Sequence, residues 1–225
     1  ALLNDGNGNQ WALILNNNTI DVLSLGAKGD YLEGSDTGTD DTLIIQAAMD
    51  SADFEDGVIV TGGNLQYGLS TGIRHKLRRI YLKDMVLCAL PTYSAGTIDA
   101  TDMGTAESAS ITAQMVINRG NPLHRCWVRD TPVGNEAAFA GGGVENVKYL
   151  CNDRAPGASF ENCFNFHTKK LTCLKQFKYG IAWLVKNTDC TMSHAKVYEA
   201  NFGDPKQLDP TTTNYNSFGI VQTCA

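Results

Sequence analysis

The chain has 225 residues, 43% apolar and 19% charged, enough for one large domain with a sizeable core. Its net charge of −6 argues against a nucleic-acid binder, which would carry a basic patch or stripe, and leaves neutral and acidic sugars open as ligands. No run of 18 apolar residues and no basic-then-apolar start is present, so neither a membrane-inserted segment nor a signal peptide is expected.

The 22 glycines favour many turns, hence an all-β or coil-rich repeat. The seven cysteines include no CxxC and no zinc-ligand spacing. Reduced, mostly buried thiols are expected, with a disulfide framework as the alternative.

Residues 1–21 are polar and turn-rich, with one apolar patch at Trp11–Leu15. Asp5-Gly-Asn7-Gly-Asn9 hints at a calcium loop. The required Gly and closing carboxylate are replaced by Gln10 and Asn16, so a neck or linker with one short strand is expected and no metal. Val22–Leu25 reads as a strand, followed by a tight turn at Gly26 and Gly29. Asp40 or Asp41 opens a helix whose apolar stripe is Ile44, Ile45, Ala48 and Ala52, and Asp53 and Gly57 end it. So short a helix must cover something, and the open end of a stack of strands is the natural object. The paired aspartates then cap a helix and take no part in catalysis. Val58–Val60 and Tyr67–Leu69 are short strands.

Leu77, Ile80 and Leu82 are spaced i, i+3, i+5. The spacing recurs at Val144, Val147, Tyr149, at Thr168, Leu171, Cys173, and at Met192, Ala195, Val197, the last three sets 24 residues apart. This period signals stacked units, each with two short strands meeting at a bend. Asn146, Lys170 and His194 occupy the bend, and one Asn among three makes a poor side-chain ladder. Tyr149, Cys173 and Val197 point inward. Leu150, Leu174 and Tyr198 should form an outward apolar column, either a partner surface or a corner turned inward. Thr92–Ser110, Pro132–Gly143 and Gly203–Ser217 read as inserted loops. Tyr179-Gly-Ile181 and Phe218-Gly-Ile220 look alike, and the chain stops just after the second, as an incomplete solenoid would.

No serine-triad, P-loop or dinucleotide motif is present, and no cofactor is expected. A glycosidase needs two carboxyl groups about 5–5.5 Å apart if retaining and about 6.5–9.5 Å apart if inverting. Glu136, Glu145, Asp153, Glu161, Asp189, Glu199 and Asp204 are available, each individually a solvated surface charge by default. Asp189 and Glu199, flanking the third repeat, are the candidate catalytic pair, with Tyr198 as a sugar-stacking ring. The carboxylate cluster that would hold calcium for β-elimination is not seen.

Gly26-Ala-Lys-Gly-Asp30, Asp40-Asp-Thr42, Gln46-Ala-Ala48 and Tyr67 stand in the order of the entry segment of the pectin-lyase-like family, and the stretch 22–70 resembles phage tailspikes in particular. Two departures are loop changes: the insertion Tyr31–Thr39, and Thr61-Gly-Gly63 in place of a Pro-Gly. The resemblance implies an all-β right-handed parallel β-helix with an N-terminal capping α-helix. It divides the chain into a neck (1–21), an entry and cap (22–70) and β-helix turns with inserted loops (71–225). It further implies a homotrimer that contacts other virion tail or baseplate proteins. Such a protein is made in the host cytoplasm and recognises and depolymerises a host capsule or O-antigen by hydrolysis or elimination. A non-catalytic virion adaptor or receptor-binding β-helix is the alternative, and a cellular pectin-lyase-like enzyme a third reading.

Overall fold

The computed structural model describes residues 2–4, 10–12, 17–52, 57–75, 79–94, 122–127, 141–161, 163, 165–176, 179–184, 189–198 and 218–222. In chain order the strands begin with β1 (Leu2–Asn4), β2 (Gln10–Ala12) and β3 (Thr19–Asp21). After the helix α1 (Thr42–Ala52) come β4 (Ile59–Thr61), β5 (Gln66–Leu69), β6 (Ile73–His75), β7 (Tyr81–Ala89), β8 (His124–Trp127) and β9 (Gly143–Leu150). The remainder are β10 (Ala158–Glu161), β11 (His167–Lys169), β12 (Thr172–Leu174), β13 (Tyr179–Leu184), β14 (Thr191–Ser193), β15 (Lys196–Tyr198) and β16 (Phe218–Gln222).

The molecule is mostly β-sheet, and its strands are parallel apart from the antiparallel β1–β2 pair. One sheet runs β14-β11-β9-β7-β4-β3, and the second runs β16-β13-β10-β8-β6. Along their second halves β7 carries β5 and β9 carries β12, which in turn pairs β15. From β6 onward the chain alternates between the two sheets, and each return pairs with the previous visit.

The 24-residue period is a pairing register. Gly143, His167 and Thr191 are successive partners, as are Lys148, Thr172 and Lys196. Asn146, Lys170 and His194 mark the bend, with φ of 54°, 54° and 55°. The upstream register is corrected by five residues. Leu82 pairs Val144, Met85 pairs Val147 and Leu87 pairs Tyr149, so the matching i, i+3, i+5 set is Leu82, Met85, Leu87. Leu77 lies outside the described residues. With that shift Asp84 falls at the bend, and Asn146 Nδ2 donates to Asp84 Oδ1 at 2.7 Å and Asn64 Oδ1 at 3.0 Å. The ladder is therefore built upstream, by Asn64, Asp84 and Asn146. Tyr179 pairs Phe218 and Ile181 pairs Ile220, so the two look-alike tripeptides stack.

Val22–Leu25 is not a strand but a 3-10 turn. Asp21 Oδ1 accepts from Leu23 N at 3.0 Å, and Gly26 at φ 101° lets its N–H return to Leu23 O. The strand at this point is Thr19–Asp21. Residues 1–21 carry three short strands, β1, β2 and β3, where one is expected.

The interior holds Val60, Leu82, Val144, Leu87, Tyr149, Cys173, Phe160 and Ile181, all buried. The buried face of α1 (Ile45, Ala48, Met49, Ala52) joins the same cluster. Its polar face closes the edge of the second sheet. Gln46 accepts from Arg74 N at 2.7 Å and donates to Arg74 O at 3.0 Å, so a side-chain amide pairs with end strand β6 as another strand would.

The expected outward apolar column does not stand open. Leu150 is fully buried with Tyr31, Cys88 and Leu90, and Leu174 packs against that cluster. The cover is the chain's own Tyr31–Thr39 insertion, leaving Tyr198 exposed at the column's end. Tyr31 OH donates to Asp36 Oδ1 at 2.6 Å, Asn152 Nδ2 to Tyr31 OH at 2.7 Å, and Arg154 pairs with Asp36 through both terminal guanidinium nitrogens. Glu33 meets Lys148 and Lys175 at 4.0 and 3.6 Å. The expected inserted loops lie outside the described residues except for their ends, 92–94 and 141–143. Among the described residues no helix is long and apolar enough to cross a membrane.

The six described cysteines are free thiols, five of them buried. Cys173 is a fully buried small apolar side chain, as its inward position requires.

Candidate functional site: the outer face of the first sheet

The acidic pair at the entry is structural, but its two members divide the work differently from a simple cap. Asp40 Oδ1 accepts from Thr42 N at 3.1 Å and Thr42 Oγ1 at 2.5 Å, serving the helix start. Asp41 turns away from the helix. Its fully buried carboxylate accepts from Lys28 N at 2.8 Å and Gly29 N at 3.0 Å, and so fixes the Gly-rich turn. Asp41 is closed off from solvent, whereas Asp40 is exposed beside the helix start.

The exposed chemistry lies on the outer face of the first sheet. Inward residues alternate with outward ones along each strand, so in-register outward residues form rows across strands about 4.8 Å apart. One row runs Thr19, Ile59, Tyr81, Gly143, His167, Thr191, and the next runs Asp21, Thr61, Lys83, Glu145, Lys169, Ser193. Glu145 sits at the centre. Lys83 Nζ lies 3.2 Å from one of its carboxylate oxygens and Lys169 Nζ 3.3 Å from the other. Hydrogen bonds from Lys83 and then Lys169 hold the Glu145 carboxyl below its ordinary pKa. Lys83 Nζ also lies 5.5 Å from the centroid of the Tyr81 ring. His167 contacts Thr191 Oγ1 at 2.7 Å through Nδ1 and Asn165 Oδ1 at 3.1 Å through Nε2. Gly143 is buried between Tyr81 and His167, and a Cβ there would meet the His167 carbonyl oxygen.

The expected site residues fall elsewhere. Asp189 is exposed, with φ 52°, two residues before β14. The same place before β11 is taken by Asn165 (φ 49°) and before β9 by Gly141 (φ 102°). Asp189 therefore has a corner role that needs no chemistry. Glu199 lies outside the described residues, as do Glu136 and Asp204. Tyr198 is 47% exposed at the end of β15, on the second half of the bent sheet and away from Glu145. Glu145 is one of the candidate carboxylates in the sequence, whereas no motif marks its lysines. Lys169 is legible from the 24-residue register, whereas Lys83 requires the corrected upstream register, 62 residues before Glu145.

No family model matches the chain, and no curated protein matches it. Two solved structures are similar. One is ORF18 of Geobacillus virus E2, with 14% identity, a TM-score of 0.47 and 99% of this chain covered; the chain spans 54% of that protein's length. The other, from Parabacteroides merdae, is described as a provisional glycosyl hydrolase, with 15% identity, a TM-score of 0.39, and 92% of this chain and 95% of that one covered. Likenesses at these scores establish neither fold nor activity.

Proposed function

We propose that the chain is part of a phage tailspike of right-handed parallel β-helix type. It recognises a bacterial surface polysaccharide, capsule or O-antigen, on the outer face around Glu145, and the whole protein depolymerises it. The observation that carries this reading is the pair of outward rows joining Tyr81, Lys83, Glu145, His167, Lys169 and Thr191 over adjacent parallel strands. An extended glycan needs repeated hydrogen-bonding groups and a ring to pack on along one line, and stacked strands supply both. Alternation of the chain between two parallel sheets, closed at one edge by Gln46, supports the solenoid reading. The protein belongs to the virion tail and acts as a homotrimer in contact with other tail proteins.

Asp189 and Glu199, the candidate pair read from the sequence, with Tyr198 as a sugar-stacking ring, are the residues to test for cleavage. A second reading, a receptor-binding β-helix without catalysis, is favoured by two observations. Glu145 is held ionised between lysines and is unsuited to act as a general acid, and Asp189 serves a corner. Incubating the full-length protein with a panel of purified capsular and O-antigen polysaccharides separates these. New reducing ends with one of them, lost in Asp189→Asn and Glu199→Gln, support hydrolysis by this pair. Unsaturated-sugar absorbance indicates a lyase, and binding without new ends leaves recognition alone. Failure to bind any member of the panel overturns the proposal. Light scattering should give three times the 24.3 kDa chain mass for a trimer of this segment.

A further inference from the structure

We propose that the Lys83–Glu145–Lys169 row is a charge-selective subsite that takes an acidic sugar unit, one carrying a carboxylate, and that Glu145 holds the place which that carboxylate takes. The proposal rests on the glycan-binding reading above and adds the ligand's chemical class.

Lys83 and Lys169 come from β7 and β11, the two strands that flank β9. Their backbones are two strand spacings apart, about 9.6 Å. Both ammonium groups nevertheless converge on one carboxylate, one on each oxygen. Two cations face one anion in this trio, and the other carboxylate of the row, Asp21, lies two strands beyond Lys83 and accepts from Leu23 N. Each ammonium has three donors, and one suffices for Glu145.

The side chains are 28%, 35% and 55% exposed for Lys83, Glu145 and Lys169, so water screens the pairs and they add little to folding. Exchanging Glu145 for another carboxylate is correspondingly cheap. The neighbouring row gives the rest of a sugar somewhere to lie. The Tyr81 ring, half-buried beside Lys83, is the face offered to a sugar, and Gly143 is buried against it. The protein's net charge of −6 does not oppose this, because charges beyond about 8–10 Å are largely screened at physiological salt.

The test measures binding of the protein to alginate oligosaccharides, a polyuronate, and to dextran, a neutral glucan, by isothermal titration calorimetry. Alginate should bind more tightly than dextran and weaken as salt rises. Lys83→Gln and Lys169→Gln should each weaken alginate binding by about fivefold or more, the worth of a charge-assisted contact. Glu145→Gln removes the internal competitor and should tighten alginate binding by about threefold or more. A gain of affinity cannot come from misfolding. Dextran held as tightly as alginate, or alginate binding indifferent to all three substitutions, overturns the charge selection and leaves glycan binding standing. If neither glycan binds while a neutral polysaccharide of the panel does, the subsite falls alone. If the panel fails as well, both readings fall.

Discussion

Two backbone N–H groups, those of Lys28 and Gly29, converge on the fully buried carboxylate of Asp41. A hydrogen bond to a charged group contributes roughly 1.5–3 kcal/mol net, and a buried donor left without its acceptor costs more than the bond it lost. Gly29 stands at φ 57°, and its close neighbours Leu65 and Tyr67 leave no space for a Cβ, so the turn has no substitute conformation. Asp41→Ala should therefore destabilise by about 3 kcal/mol in urea denaturation, with Asp41→Asn intermediate because one acceptor oxygen survives. An unchanged midpoint for Asp41→Ala would mean that the carboxylate does not hold the turn. A second buried contact, His124 Nδ1 to Tyr149 OH at 2.9 Å, joins the two sheets inside the core. Tyr149→Phe leaves His124 without that partner and should cost about 1–3 kcal/mol, measured by the same denaturation.

Bent strands in this molecule depend on left-handed residues at two fixed places. Asn17, Gly57, Arg79, Gly141, Asn165 and Asp189 each precede a strand of the first sheet by two residues, and all have positive φ. Asp84, Asn146, Lys170 and His194 do the same at the mid-strand bend. Asn, Asp and Gly adopt this conformation with little penalty, and other residues pay about 1–2 kcal/mol. Lys170 is such a misfit, one pairing step from Asn146. Lys170→Asn should raise stability by about 0.5–1 kcal/mol, through relief of strain and extension of the amide ladder. Thermal unfolding is the check, and a lowered Tm would refute the strain account. The helix works at the same scale. Gln46 pairs with the edge of β6 in the way a strand would, an amide doing what the peptide backbone does elsewhere in the sheet.

Across the whole molecule, the Tyr31–Thr39 insertion binds the entry to residues far along the chain, through Asp36 to Arg154 and Glu33 to Lys148 and Lys175. It buries Leu150, Cys88 and Leu90, which would otherwise form an exposed apolar stripe. Acid should loosen this tie. Arg154, followed by Tyr31, holds the Asp36 carboxyl below its ordinary value, Thr39 does so for Asp30, and Lys83 and Lys169 for Glu145. Their folded values lie below the unfolded ones, so the unfolded chain binds more protons on acidification. The stability they contribute is whole above the ordinary carboxylate range, near pH 4, and is lost as pH falls through the folded values. Denaturation midpoints should fall on acidification below about pH 4, and less steeply in Arg154→Met than in the parent. Equal slopes would separate the acid sensitivity from this ion pair.

Local sequence determined the parts that local forces govern. The 24-residue register, the inward Tyr149 and Cys173 and the helix after Asp41 all follow from side-chain alternation and helical spacing. Three features needed tertiary structure. Asp41 chose a turn over its own helix because that turn's N–H groups are buried beside it, and no spacing rule records a partner 12 or 13 residues upstream. Leu150 is covered because an insertion 111–119 residues earlier folds back onto it, so outward direction did not mean exposure. Lys83 reached Glu145 across 62 residues of chain, most of them between β7 and β9. Alternation fixes which way a side chain points, whereas what it meets depends on which distant strand lies alongside, and loops of unequal length hide that from the sequence.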